Sequence, residues 1–156
     1  MIQRKQSVFL FLSFISLAGL AFLPLANFLG DQDSLVMYVY QIVSKVPDSI
    51  PPFSSLFLLP LLSIVIIAAT LSFGAIFMFK NRSRQLMVVR LMIFLLIVFI
   101  GLFFLYYVNA LEEISGGLIE PEYGMYLIPL ALVFLFLAMR GIVADERLVR
   151  SSERLR

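Results

Sequence analysis

The chain has 156 residues, of which 62% are hydrophobic and 14% are charged, and its formal net charge is +2. It contains no cysteine and no histidine, which excludes disulfide bonds, haem ligation by histidine, and catalysis by either side chain. A net charge this small gives no indication of nucleic-acid binding. We therefore expect no cofactor and no nucleic-acid partner.

Four long stretches, residues 8–29, 53–79, 91–111 and 124–143, carry no charged side chain other than Arg140. As a helix each stretch is about 30 Å long or longer, which is enough to cross the hydrocarbon core of a bilayer. The predicted fold is all-α, an integral membrane four-helix bundle that forms a single domain over residues 1–156. The remaining segments are outer loops at 30–52 and 112–123, a cytoplasmic loop at 80–90 and a cytoplasmic tail at 144–156.

The basic residues indicate the orientation of the spans. Every Lys and Arg except Lys45 lies before the first span, in the loop at 80–90, or at and after the end of the fourth span. Basic residues in short flanks stay cytoplasmic, so both termini are predicted to be cytoplasmic, and an even number of spans requires the same. An alternative stays open, in which the first stretch is a signal peptide with Arg4 and Lys5 ahead of it and cleavage near Gly19-Leu20-Ala21.

The spans differ in the residues available for packing. The second span places Ser63, Thr70 and Gly74 on one helical face, and small residues let helices approach closely in lipid, so we expect this face to contact the first helix. The third span is mostly large and apolar, and it either faces lipid or packs through large side chains. Pro129 lies in the first turns of the fourth span, where loss of a backbone donor costs less than at mid-helix.

The first outer loop is apolar but ambiguous in structure. Leu35, Tyr38, Ile42 and Val46 are spaced like one face of a helix, whereas residues 35–43 are rich in Val and Tyr and fit a strand equally well. Either form is too apolar to stand free in water, so we expect it to lie on the membrane or cover the outer helix ends. The candidate contacts with a membrane partner in this loop are Leu35, Tyr38, Val39 and Ile42.

The second outer loop is acidic. Its carboxylates flank a Gly-Gly turn and could bind a hard cation such as Ca²⁺, but their spacing matches no known loop motif. We interpret them as solvated surface and predict no metal site: Glu112, Glu113, Glu120 and Glu122.

Two groups of basic residues are candidate binding sites on the cytoplasmic side. The first could hold an anionic lipid headgroup, although topology alone also explains it: Lys80, Arg82, Arg84, Arg90 and Arg140. The tail is predicted to extend the fourth helix, either lying at the headgroups as an amphipathic segment or docking a partner. Its candidate partner contacts are Arg147, Arg150 and Arg154.

The two ends of the chain carry a resemblance to a known family. Met1-Ile2-Gln3-Arg4 leads directly into the first span, and the chain closes with Asp145-Glu146-Arg147-Leu148-Val149-Arg150-Ser151 followed by Arg154-Leu155-Arg156. With its length and four spans, the chain resembles the small four-span inner-membrane proteins of Bacteroidota that are grouped as a domain of unknown function. The resemblance implies a bacterial cytoplasmic membrane, and it implies no activity, substrate or site.

Function is predicted mainly from what the spans lack. No Asp or Glu lies inside a span, which removes the usual basis of a proton or ion path. We expect a non-enzymatic accessory or scaffold subunit that binds membrane lipid and associates with other membrane proteins or with itself. One alternative is an oligomeric transporter or channel for a neutral or lipid-like solute, with a cavity lined by Asn27, Ser63, Thr70 and Asn109. A third alternative, a lipid-modifying enzyme, would require an outer or inner cluster of carboxylates that acts with a metal, such as convergence of the four outer glutamates.

Overall fold

The computed structural model describes residues 3–30, 34–45, 55–116 and 118–154, which are mostly helical. The helices are α1 (Gln3–Gly19), α2 (Leu59–Phe77), α3 (Arg82–Leu102), α4 (Asn109–Ser115) and α5 (Tyr123–Arg154). The strands are β1 (Ala26–Leu29), β2 (Ser34–Met37), β3 (Ile42–Ser44) and β4 (Leu118–Pro121). A π-helical segment, Phe103–Val108, joins α3 to α4, and short 3-10 turns at Ser55–Leu58 and Met78–Lys80 flank α2.

The four long helices form a closed bundle. α1 packs against α2 and α5, and α3 packs against the same two helices, so contact between the first and last helices closes the ring. Each helix contributes a buried stripe at spacings of three and four residues, as in α1, where Leu10, Ser13 and Leu17 are almost inaccessible to solvent. The core of the bundle is therefore built from one face of every helix.

The strands form one antiparallel sheet in the order β3-β2-β1-β4. In its register Phe28 lies opposite Leu35 on one side and Ile119 on the other, and Ala26 lies opposite Met37. Phe28, Leu35 and Met37 are buried, and β1 contacts α4 and α5, so the sheet covers one end of the bundle. We call this the sheet end, and we call the opposite end, where α1 begins and α3 starts, the arginine end.

The sheet corrects the prediction of an all-α fold. The first outer loop takes the strand form, in β2 and β3, rather than the helical one, and Val46 lies outside the described residues. The described part of the loop covers the ends of the helices, which is one of the two placements expected for it. A short apolar run bounded by turn residues does not distinguish a strand from a buried helix, because both show the same hydrophobic residues.

The first helix also ends earlier than predicted. α1 stops at Gly19, and the backbone N–H groups of residues 20–23 turn back to carbonyls of the last helical turn. Pro24 has no N–H to continue the helix and restricts Leu23, and the Leu25 N–H then donates to the Met37 carbonyl at 2.7 Å. The expected helix over residues 8–29 is therefore wrong after Gly19, because strand pairing satisfies the backbone there instead.

Three helical segments are long and apolar enough to cross a membrane: Leu56–Phe77, Arg82–Glu113 and Tyr123–Arg147. The apolar part of α1, Gln6–Gly19, is shorter. The third predicted span packs through large side chains, since it buries Leu96 and Phe99 on one side, and it exposes Phe94 and Ile97 on the other. These features are compatible with a membrane protein.

The predicted packing face of α2 is wrong. Ser63, Thr70 and Gly74 are exposed, and a Cβ added at Gly74 would meet nothing within 4 Å. The buried face of α2 instead consists of Leu61, Val65, Ala68, Ser72 and Ala75. Ser72, on this observed face, contacts the first helix, because its hydroxyl donates to the Leu10 carbonyl at 2.8 Å.

Candidate functional site: a basic groove between α3 and α5

A groove at the arginine end lies between α3 and α5 and brings three arginines together. One hollow, of about 320 Å³, is lined by Arg90, Arg140 and Arg147 together with Met139, Val143 and Ala144. An adjoining hollow of about 200 Å³ shares Arg90, Val143 and Arg147 and adds Leu86 and Glu146. We call these two hollows together the basic groove.

Helical spacing aligns these side chains. On α5, Arg140 and Arg147 are seven residues apart with Val143 between them, which places all three on one face. On α3, Leu86 and Arg90 are four residues apart and stand one above the other. Since α3 and α5 are neighbours in the bundle, the two faces meet along one seam.

The chemistry of the basic groove favours an anion with an apolar attachment. Arg90, Arg140 and Arg147 are exposed, and each guanidinium can donate two parallel hydrogen bonds to a phosphate or a carboxylate. Glu146 supplies a single opposing carboxylate at the edge of the smaller hollow. Leu86, Met139 and Val143 form the apolar floor, so the groove presents positive charge above a hydrocarbon surface.

A buried polar cluster lies at the same end of the bundle. Gln6 of α1 donates through Nε2 to Oδ2 of Asp145 in α5, and Asp145 is 3% exposed. Arg82 of α3 donates through Nη1 to the Asp145 backbone carbonyl at 2.9 Å. The Gln6–Asp145 pair and Arg82 therefore connect α1, α3 and α5 at the arginine end.

Sequence reasoning missed the role of Asp145, which it placed on a solvated tail. The available signal was positional, because Asp145 continues the buried stripe of Ala131, Leu135, Ala138 and Ile142 at spacings of four and three residues. A polar residue on the buried stripe of a helix indicates a hydrogen-bonded partner on a neighbouring helix.

The predicted headgroup residues separate into two groups. Arg90 and Arg140 meet in the basic groove, whereas Arg82 is engaged with Asp145. Arg84 is exposed, and its backbone N–H caps α3 by donating to Asn81 Oδ1 at 3.3 Å. The side chain of Lys80 lies outside the described part of the structure.

The predicted partner residues of the tail also separate. α5 continues through the tail to Arg154, as expected, and Arg147 joins Arg90 and Arg140. The side chains of Arg150 and Arg154 lie outside the described part of the structure. Among the predicted tail contacts whose side chains are described, Arg147 therefore lies in the basic groove.

Three of the four predicted partner contacts in the first outer loop lie in the core. Leu35 is 1% exposed, Val39 is 2% exposed and Ile42 is 9% exposed. Tyr38 is half-buried and its ring lies 5.8 Å from that of Tyr40. Packing inside this chain accounts for the apolar character of the loop without a partner.

The structure does not gather the residues named for a transport cavity. Ser63, Thr70 and Asn109 are exposed, and each donates to a carbonyl of its own helix three or four residues earlier. Asn27 lies in β1, and its Nδ2 donates to Glu122 Oε1 at 2.5 Å. Among the described residues, no three Asp or Glu side chains come together where a metal ion could be held.

The chain belongs to a family described as a domain of unknown function (DUF4293), whose model matches residues 2–155. No curated protein and no solved structure matches the chain.

Proposed function

We propose that this protein is a non-enzymatic integral membrane protein of a bacterial cytoplasmic membrane that binds anionic phospholipid and acts as an accessory subunit. The observation that supports this most directly is the basic groove, in which Arg90, Arg140 and Arg147 stand over an apolar floor. A phospholipid offers the same pair of properties, a charged phosphate joined to hydrocarbon chains.

The orientation that we propose places the arginine end on the cytoplasmic side. Both termini are then cytoplasmic, in accord with the distribution of Lys and Arg along the chain. Arg140 lies near the end of the apolar part of α5, so its long side chain can reach the inner headgroups. The basic groove then lies at the level of lipid phosphates.

Replacement of the two arginines that line both hollows tests the headgroup site. In detergent solution, native mass spectrometry measures how much phosphatidylglycerol or phosphatidylcholine the protein retains as each lipid is titrated. We expect Arg90→Gln with Arg147→Gln to weaken phosphatidylglycerol retention about tenfold, because charge-assisted hydrogen bonds to the phosphate are lost. Retention of phosphatidylcholine by the wild type should be weaker than that of phosphatidylglycerol.

A matched control separates the site from general surface charge. Arg84→Gln removes one exposed arginine of α3 outside the basic groove and should leave phosphatidylglycerol retention unchanged. Equal losses in Arg84→Gln and Arg90→Gln would mean that the net charge, rather than the groove, attracts the lipid. That result would overturn the proposed headgroup site.

The role as a subunit has its own test. The tagged protein, extracted with its surrounding membrane by an amphipathic polymer instead of detergent, should carry a stoichiometric membrane protein identified by mass spectrometry. Recovery of the protein with lipid alone, as a monomer or a homo-oligomer, would contradict the accessory role while leaving the lipid site intact.

A further inference from the structure

A further hollow lies between α3 and α5, near the sheet end. Its volume is about 450 Å³, and its wall is almost entirely apolar. The π-helical segment contributes Phe103 and Phe104, and α5 contributes Met125, Ile128 and Pro129. We call it the apolar pocket.

Two irregularities in the helices account for this hollow. The α-helix changes to a π-helix at Phe103, which shifts the following side chains relative to a regular helix. Pro129 lies inside α5 and has no N–H, so the Met125 carbonyl receives no α-helical hydrogen bond from that position. Phe103, Phe104 and Pro129 all line the apolar pocket, so both irregularities lie at its level of the α3–α5 seam.

The apolar pocket and the basic groove open on the same side of the seam. On α5, Pro129, Val133, Phe136 and Arg140 follow one another at spacings of four, three and four residues, and Val133, Phe136 and Arg140 are exposed. On α3, Ile97 lies seven residues after Arg90 and is exposed on the same face. A continuous apolar track therefore joins the arginines to the pocket.

The length of this track matches one leaflet of a bilayer. Arg140 and Pro129 are separated by a helical rise of about 16 Å, at about 1.5 Å for each residue. Half of a hydrocarbon core of about 30 Å is about 15 Å. A chain that starts at a phosphate held by the arginines reaches the near edge of the pocket when it is extended.

We propose that the α3–α5 seam binds one long-chain anionic phospholipid, with its phosphate in the basic groove and one acyl chain extended into the apolar pocket. The headgroup half rests on the proposed function, and the acyl half adds a requirement for chain length. Charge complementarity at one end and an apolar cavity at the other select a lipid over a free phosphate, which has nothing to place in the pocket.

The length requirement is tested on the wild-type protein by comparing two lipids with one headgroup. Native mass spectrometry in detergent measures retention of dioleoyl-phosphatidylglycerol and of dihexanoyl-phosphatidylglycerol, with inorganic phosphate as a competitor. We expect the long-chain lipid to be retained about tenfold more tightly, and phosphate to displace the short-chain lipid more readily. Equal retention of the two lipids would overturn the acyl site.

A variant that fills the apolar pocket tests whether the dependence of lipid retention on chain length arises there. Ile100 lines the apolar pocket, and Ile100→Trp should reduce retention of the long-chain lipid to the level of the short-chain lipid without changing the latter. Ile67→Trp on α2, where Ile67 is exposed away from the seam, is the matched control and should change neither. Equal losses in both variants would contradict the assignment to this pocket.

The headgroup site and the acyl site predict different results, so the experiments can contradict one without contradicting the other. If retention depends on Arg90 and Arg147 but not on chain length, the headgroup site stands and the acyl site is wrong. If retention depends on chain length but not on these arginines, the headgroup site and the proposed function are wrong. If inorganic phosphate displaces the long-chain lipid as readily as it displaces the short-chain lipid, the ligand is a free anion and the lipid site is overturned.

Discussion

The two ends of the bundle satisfy their polar groups by different means. At the sheet end, backbone groups pair between strands, and the side chains that cover the helices, such as Phe28 and Met37, are apolar. At the arginine end, buried side chains join the helices, as Gln6 and Asp145 do. Backbone pairing tolerates almost any residue of suitable shape, whereas a side-chain pair depends on both of its members, so the two ends should respond differently to substitution.

The largest expected effect is at the sheet end, where backbone meets backbone. A Cβ added at Gly124 would lie 2.4 Å from the Pro24 carbonyl oxygen and 2.9 Å from that of Leu23. We expect Gly124→Ala to lower the free energy of unfolding by about 3 kcal/mol, because neither carbonyl can move without disturbing the start of β1. Thermal unfolding in micelles, followed by circular dichroism, measures the loss.

Gly101→Ala is the control for this prediction. Gly101 is also helical, but a Cβ there would meet nothing within 4 Å, so Ala should be neutral or slightly stabilising. Equal stabilities of the Gly124 and Gly101 variants would mean that α5 is not seated against the turn at Pro24.

The next effect is at the arginine end. Asp145→Ala leaves the buried Gln6 amide without its acceptor, and we expect a loss of about 2 kcal/mol in the free energy of unfolding. Adding Gln6→Leu to the Asp145→Ala variant should recover much of that loss, since both polar partners are then removed. Additive losses in the double variant would show that the two side chains do not act as a pair.

A smaller effect distinguishes the two faces of α2. The Ser72 hydroxyl is buried and bonded to the Leu10 carbonyl, so Ser72→Ala should cost about 1 kcal/mol. The Thr70 hydroxyl is exposed and bonded within its own helix, so Thr70→Val should change stability by less than about 0.5 kcal/mol. A larger loss of stability in Thr70→Val than in Ser72→Ala would contradict the observed buried face of α2. It would favour the face predicted from the sequence, which contains Ser63, Thr70 and Gly74.

The helical part of the fold could be predicted because it depends on long apolar runs, which are visible in any window of the sequence. The sheet could not, since β1 lies inside the first apolar run and pairs with residues 118–121, which are distant in the chain. Register and long-range pairing depend on contacts that a local pattern does not contain.

The candidate site was predictable in part. The charge pattern selected Arg90 and Arg140 as headgroup contacts, because basic residues at span ends are recognisable from position alone. Their association with Arg147 required knowledge that α3 and α5 are neighbours. The apolar pocket could not be found in the sequence, because it arises where the π-helical segment and Pro129 come to the same level of the bundle.

Lipid composition around the protein in its own membrane would test the lipid site most directly. Wild type and the Arg90→Gln, Arg140→Gln, Arg147→Gln variant would each be extracted with native lipid in polymer discs, and the lipids in each disc would be quantified by mass spectrometry. We expect anionic phospholipid to be enriched over the bulk membrane around the wild type and to return to the bulk proportion around the variant. The same anionic fraction in both preparations would contradict a lipid site between α3 and α5.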